Sequence, residues 1–384
     1  MTDDNHIGLQ TVAETTGQFA NNFLKTVAND QPGNLITSPL SAQVVLAMAA
    51  YGASGTTASQ MRSSLLIPSD DELGQSGYQS LIKTLNAPKG VELRLANKIY
   101  TSIQASVKTT YKELTATKFL SSSEEVDFND AQGTSSTINA WCEDQTNKRI
   151  KDLITPDSLS SDTMLVLVNA VYFKGQWEKK FNPSLTQDKP FHVNETSTIN
   201  VPTMFIKNKL RYGDLEELSA RFVEIPYQGG EISMVIILPN EMNGLAKVQD
   251  NLEKVNLGQS LQQSFPGEVE LFLPKFKIES TLDLNTTLAK LGMTEMFDDC
   301  ADFSGISDVP VKVSKVIQKA FIEVNEEGSE AAAATAVMMT LRCAFPMPIP
   351  PVVFKIDRPF YYAIHHNNTN IPLFTGVVHG PSVA

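Results

Sequence analysis

The hydrophobic pattern of the chain changes character part-way along it. Within residues 11–27 the apolar side chains Val12, Phe19, Phe23 and Leu24 recur at helix-like spacings, which predicts an amphipathic helix. A turn at Asn29-Asp30-Gln31-Pro32-Gly33 follows, and Ser38-Pro39-Leu40-Ser41 then reads as a cap ahead of an apolar helix over residues 42–51. Gly52 and Gly55 close that helix, and residues 57–66 predict another. Residues 138–154 repeat the amphipathic pattern, with Ile138, Trp141, Ile150 and Leu153 on or near one face.

Strands dominate from residue 164. Residues 164–173 are apolar at nearly every position, as expected of a strand covered on both faces. Residues 221–225 and 232–238 flank Tyr227-Gln228-Gly229-Gly230-Glu231, which reads as a hairpin turn. Residues 268–276 alternate, 284–292 return to helix, and 352–356 and 360–364 are strands again. Helices first and strands later, without regular βα alternation, predict an α+β fold. No repeat, low-complexity tail or linker divides the sequence, so one large domain over residues 1–384 is expected.

Composition narrows the function by exclusion. At 384 residues and 42 % hydrophobic, the chain can bury a large core and needs no disulfide scaffold. Its 31 Lys+Arg against 43 Asp+Glu give a net charge of −12, which argues against nucleic acid or anionic membranes as partners. Cys142, Cys300 and Cys343 are widely spaced, with neither a zinc-like grouping nor a disulfide framework. The longest apolar runs fall far short of the about 20 residues that span a bilayer. The acidic, polar N-terminus has no signal-peptide features, while sequons at Asn194, Asn285 and Asn367 weigh slightly toward secretion. Motifs for hydrolase serine, zinc protease, phosphate loop and dinucleotide chemistry are all absent. The five histidines His6, His192, His365, His366 and His379 form no metal spacing, and His365-His366 reads as a turn or strand-end pair.

One segment breaks the pattern. In residues 326–351, Ala331 to Ala334 favour helix, yet Gly328 precedes them and Pro346, Pro348, Pro350 and Pro351 exclude regular structure afterward. A connection of this length inside a compact domain is functional or disordered. Two readings stand side by side: a surface helix with a stiff proline-rich loop, or a protease-accessible bait loop. In the second, the small residues enter a crowded sheet at little steric cost, and Arg342 suits a trypsin-like primary pocket. Periodicity alone does not separate them.

Taken together, these residues closely resemble the hinge and reactive loop of the serpins, and the resemblance extends over nearly the whole chain. Phe354-Lys355-Ile356-Asp357-Arg358-Pro359-Phe360-Tyr361-Tyr362-Ala363-Ile364 matches the serpin signature at every position. Asn34 through Ser41, Gly52-Ala53-Ser54-Gly55-Thr56-Thr57 and Asn169-Ala170-Val171-Tyr172-Phe173-Lys174-Gly175-Gln176-Trp177 match in order. Leu273-Pro274-Lys275-Phe276 and Ala301-Asp302-Phe303-Ser304-Gly305-Ile306 follow them. The resemblance implies one domain of about nine helices and three β-sheets with an exposed reactive-centre loop at about residues 326–351. It also implies a suicide-substrate inhibitor: the protease cuts the loop, the loop enters the central sheet as a new strand, and the acyl-enzyme is trapped.

Residue by residue, the resemblance places the hinge at Glu326, Glu327, Gly328, Ser329, Glu330, Ala331, Ala332, Ala333, Ala334 and Thr335. Glu326 is expected to pair with Lys275 at the top of the sheet, beside Trp177. Ser38, Ser41, Asn169 and Gln318 correspond to the region where the sheet opens, with Gln318 expected to bridge to Ser38. In similar inhibitors the scissile bond follows the seventeenth residue from the hinge glutamate, which here is Arg342, giving Arg342-Cys343. The implied partner is a trypsin-like serine protease in a covalent complex with a monomeric inhibitor. No catalytic residue, metal or cofactor is implied. A heparin-like glycosaminoglycan effector would use Lys148, Arg149, Lys151, Lys179, Lys180, Lys207, Lys209 and Arg211. Family habit points to a secreted, extracellular glycoprotein, with cytoplasmic residence the alternative. Two alternatives stand beside this reading: a non-inhibitory binding or storage serpin, and inhibition of chymotrypsin- or elastase-like proteases through a shifted bond at Met338, Met339, Leu341, Phe345 or Met347. Three departures mark this chain: Gln318 where relatives often carry His, Cys343 after the bond in place of a small hydroxyl residue, and a long proline-rich stretch up to Phe360.

Overall fold

The computed structural model describes residues 3–86, 90–329 and 350–382. The helix expected over residues 11–27 is the centre of α1 (Asp3–Asp30), which buries Leu9, Val12, Phe19, Phe23, Leu24 and Val27. After β1 (Leu35–Thr37), Ser38 caps α2 (Pro39–Ala50). Its hydroxyl accepts from the Ser41 amide at 3.3 Å, and Pro39 fills a first-turn position that needs no donor. Every residue of α2 is buried. Such a helix has no polar face to show water, and it runs between the two sheets described below. Next come α3 (Gly55–Leu65), α4 (Asp71–Leu85), α5 (Thr109–Lys118) and α6 (Ala131–Gln145), with α7 (Leu245–Asn251), α8 (Leu257–Gln263) and α9 (Asn285–Lys290) later in the chain. These are the nine α-helices among the described residues.

The helix expected over residues 138–154 ends at Gln145. Asn147 and Lys148 adopt φ of 51° and 60°, which no α-helix continues through. Ile150, Leu153 and Ile154 are buried nonetheless, as an irregular strap. With Ile138 and Cys142 of α6 they form a second core cluster against Tyr100, Val166, Val168 and Ile317. The strap's apolar spacing imitates a helical face while serving a sheet.

Among the described residues, one sheet has six strands in the order β10 (Phe276–Asp283), β11 (Val313–Asn325), β12 (Gly328–Ser329), β4 (Leu165–Gln176), β2 (Val91–Ser102) and β3 (Ser123–Val126). Strand β4 is buried at nearly every position, as its unbroken apolar run predicts, since α2 lies on one face and the α6 cluster on the other. The remaining strands are β5 (Gln187–His192), β6 (Thr198–Leu215), β7 (Ala220–Pro226), β8 (Ile232–Pro239), β9 (Pro266–Pro274), β13 (Val352–Lys355), β14 (Phe360–His366) and β15 (Ile371–Val378). With β1 they form a nine-stranded network in which β6 is shared: it pairs with β5, β7 and β9, and β13 pairs with β9. The three expected sheets are therefore present as two hydrogen-bonded networks, because the 18 residues of β6 run through two of them. The expected hairpin around Tyr227 joins β7 to β8.

His365 and His366 close β14, as expected of a strand-end pair, and both are buried. Burial pushes the His365 imidazole down to about 4, and its Nδ1 has no hydrogen-bond partner among the described residues. Between pH 6.5 and about 4 the unfolded chain takes up a proton at this residue that the folded chain refuses. The neutral ring's contribution to stability is thus complete above the unfolded value and is lost as pH falls toward the folded one. Melting temperatures of wild type and His365→Gln, compared at pH 6.5 and pH 4, should differ less with pH in the variant.

Candidate functional site

The end of β11 turns at Glu326 and Glu327, and β12 enters the sheet between β11 and β4. Gly328 faces Asn325 on one side and Gln176 on the other; Ser329 faces Val324 and Gly175. Both ladders are antiparallel. Below this point β11 and β4 pair with each other directly and in parallel, from Val313–Leu165 to Phe321–Tyr172. The sheet is closed along most of its length and opened by two residues at one end.

Glycine makes that entry sterically feasible. Gly328 has φ of 137°, and a Cβ on it would meet the Gly175 carbonyl oxygen at 2.1 Å and the Gln176 Cα at 2.7 Å. Gly175 is pressed in turn, since its own Cβ would lie 2.7 Å from the Tyr227 ring.

The turn is tied down from outside the sheet. Trp177, fully buried and stacked on Tyr227 at 4.5 Å, donates from Nε1 to the Asn325 carbonyl at 2.9 Å and from its amide to the Glu327 carbonyl at 3.0 Å. The Phe181 amide takes the Glu326 carbonyl at 3.0 Å. Lys275 Nζ lies 2.9 Å from Glu326 Oε2, and Thr186 donates to Oε1 at 2.8 Å. Partial burial opposes ionisation of Glu326, yet the hydrogen bonds from Lys275 and Thr186 outweigh it and hold the carboxyl below its usual range. A second ion pair, Lys180 with Glu327, sits beside the first. Glu326 and Lys275 thus pair directly, and Trp177 holds the flanking residues Asn325 and Glu327; Lys180 and Thr186 were not foreseen.

Deeper in the sheet, Asn97, Asn169 and Gln318 lie on one rung across β2, β4 and β11. Gln318 Nε2 donates to Asn169 Oδ1 and to the Ser38 carbonyl at 2.9 Å, and its Oε1 accepts from the Ser38 amide at 2.9 Å and from the Thr37 hydroxyl. Asn169 Nδ2 continues to Ser41 Oγ and Asn97 Oδ1. Gln318 does bridge to Ser38, but through its backbone; the Ser38 hydroxyl instead donates to the Leu373 carbonyl at 2.6 Å. Thr37 and Asn97 escaped the sequence reading. Thr37 adjoins the Ser38 motif, whereas Asn97 is identifiable only once strand register is known. This network fastens the N-terminus of α2 to the sheet and, through Leu373, to the other sheet.

Residues Glu330, Ala331, Ala332, Ala333, Ala334 and Thr335, and the bond Arg342-Cys343, lie outside the described residues. Several of the eight cations of the glycosaminoglycan reading have acidic partners. Lys207 lies 3.5 Å from Glu270, Arg211 lies 3.5 Å from Glu224, Lys209 is in register with Glu268, and Lys180 is taken by Glu327. Lys148, Arg149 and Lys151 belong to the strap, where the Lys151 carbonyl accepts from Lys319 at 2.7 Å. Among the described residues there is no cluster of ligands for a metal ion, and no helix is long and apolar enough to cross a membrane.

The sheet is thus closed along most of its length, with a clamped turn at the end that β12 enters. A family model for the serpins (serine protease inhibitors) matches residues 14–381, and the chain belongs to that family. It is 37 % identical over 357 residues to an antitrypsin of Bombyx mori, covering 92 % of this chain and 90 % of that one. Its structure is similar to Serpin48 of the insect Tenebrio molitor, with a TM-score of 0.88, 32 % identity and full coverage of both chains. It is also similar to human thyroxine-binding globulin complexed with its hormone, with a TM-score of 0.89, 28 % identity and coverage of 98 % and 100 %.

Two substitutions test the geometry. Gly328→Ala should unseat the two-residue entry, destabilising the hinge by more than about 1 kcal/mol and speeding amide exchange at Trp177 and Phe181. Gln318→Leu should lower the melting temperature, because each buried group left without its partner costs about 1–3 kcal/mol. Unchanged melting in Gln318→Leu would show that the rung carries no stability.

Proposed function

We propose that this serpin inhibits trypsin-like serine proteases as a suicide substrate, cleaved at Arg342-Cys343, acting as a single-domain monomer outside the cell. The observation that carries the reading is the seating of Gly328 and Ser329 between β11 and β4, in the direction that further insertion would follow. After Glu330, the small residues Ala331 to Ala334 follow in the chain and oppose entry least.

The chemistry follows that of any acylating serine protease. Its hydroxyl oxygen attacks the Arg342 carbonyl carbon, the bond to the Cys343 nitrogen breaks, and Cys343 leaves as a protonated amine while Arg342 stays bound as an ester. The freed segment then continues the path begun by Gly328. Each residue that enters replaces one parallel pairing with two antiparallel ones, which are slightly more stable per residue. The 13 residues from Glu330 to Arg342, at about 3.3 Å each, carry the attached protease about 43 Å along the sheet. On that path the bond between Gln318 and Asn169 must part. Distortion of the dragged protease then prevents hydrolysis of the ester.

The non-inhibitory alternative has one observation on its side. A cavity of about 690 Å³ lies between α1 and β14, lined in part by Ala13, Gly17, Ile237, Leu257, Tyr361 and His365. Thyroxine, the ligand of one structural neighbour, is a direct probe of it by fluorescence quenching. Binding of thyroxine without inhibition of any protease would favour carriage over inhibition.

Incubation with trypsin should give an SDS-stable complex and release a C-terminal peptide beginning at Cys343. Arg342→Ala should abolish that complex. A variant that still traps trypsin at the wild-type rate would move the scissile bond elsewhere in the loop.

A further inference from the structure

The three sequons differ in what the fold leaves of their amide nitrogens. An N-linked sugar replaces one of the two hydrogens on Asn Nδ2, so an asparagine that needs both in the folded chain cannot carry it without losing a bond. Asn367 needs both: Nδ2 donates to the Gly230 carbonyl at 2.9 Å and to Ser233 Oγ at 3.0 Å. Ser233 is fully buried and passes its own proton to Glu224 at 2.7 Å, and Glu224 faces Arg211 at 3.5 Å. Substitution at Asn367 would break a chain of four polar groups at the β7–β8 edge. Asn285 is half-buried at the start of α9. One hydrogen goes to the Ser314 carbonyl at 2.9 Å, and its oxygen is held by the Val316 amide at 2.9 Å.

Asn194 is different in each respect. It is exposed, in the turn between β5 and β6 that runs from Val193 to Ser197. Its Oδ1 accepts from the Thr196 amide at 2.9 Å and from the Thr196 hydroxyl at 3.0 Å, so the two polar members of the sequon are already joined. Its Nδ2 makes no hydrogen bond among the described residues. The neighbouring residues Glu195, Thr196 and Ser197 are exposed as well, so a bulky group at this position meets water.

We propose that Asn194 is the glycan acceptor among these sequons and that the fold excludes a glycan at Asn367. The step is a transfer from a lipid-linked oligosaccharide on the nascent chain. A bond forms between Asn194 Nδ2 and the sugar C1, the C1–oxygen bond to the lipid diphosphate breaks, and the diphosphate leaves. One Nδ2 proton passes to a base of the transferase. Selection at Asn367 acts afterward, since a chain modified there cannot complete the Gly230 and Ser233 contacts when it folds.

The test is secretion of the full chain behind a cleavable signal peptide from eukaryotic cells. Peptide-N-glycosidase in heavy-oxygen water then converts each glycosylated asparagine to labelled aspartate, read by peptide mass. Label at Asn194 and none at Asn367 is the expected result, and Asn194→Gln should remove one glycan from the intact mass. An unlabelled Asn194, or a labelled Asn367, would overturn the proposal. Because the labelling is read on the wild-type chain, it does not depend on any variant folding.

Discussion

The direct pairing of β11 with β4 is the constraint on which the rest of the molecule depends. The two strands are parallel, central and covered on both faces, so they cannot separate without disturbing what lies above and below. On one face α2 is fixed to them by the Asn169–Gln318 rung. On the other, the α6 cluster and the strap over residues 146–154 lie across the same strands, held by the Lys319 bond to the Lys151 carbonyl and by Lys319 pairing with Glu279 at 2.8 Å. A core of this kind resists opening through many small contacts rather than one large one. Only at the end near Glu326, where Gly328 lies opposite Gln176 and Ser329 opposite Gly175, does a third strand lie between them.

Electrostatics at that end act on position more than on stability. Two adjacent carboxylates on a turn would repel each other if both were bare. Here Glu326 is neutralised by Lys275 and Glu327 by Lys180. Partly exposed pairs like these are worth little individually, but each fixes a side chain whose backbone also carries a hydrogen bond to Trp177 or Phe181. The outcome is a turn held in register with the gap it enters.

Much of this was legible in the residue order. The apolar run of β4, the Ser38 cap and the hairpin at Tyr227 follow from local pattern, because burial on both faces, an orphan helix donor and a tight turn each leave a short signature. The Glu326–Lys275–Trp177 grouping was reached through family resemblance, since its members are far apart in the chain. What stayed hidden depends on register or on irregular backbone. Asn97 joins the rung only because β2 aligns it with Asn169. Lys180 meets Glu327 only because the segment after Trp177 folds back over the turn. The overextended helix after Gln145 has the same origin: Ile150 and Leu153 carry helical spacing but lie in a strap shaped by left-handed residues.

The far end of the loop has a mechanical consequence. β13 is bound to β9 along four pairs, Val352 to Lys355 against Val269 to Phe272, and β9 is bound to β6 in the other network. In sequence, 22 residues from Glu330 to Pro351 connect these two anchored strands. Under the proposed insertion, each residue that entered the sheet would leave one fewer to span a return path to β13 longer by about 3.3 Å. An intact connection would draw taut before the sheet was filled, and further travel would require β13 to peel away from β9. A single cut would remove that length condition altogether. A molecule working in this way would need no sensor of its own cleavage, because tension in its chain would register the event.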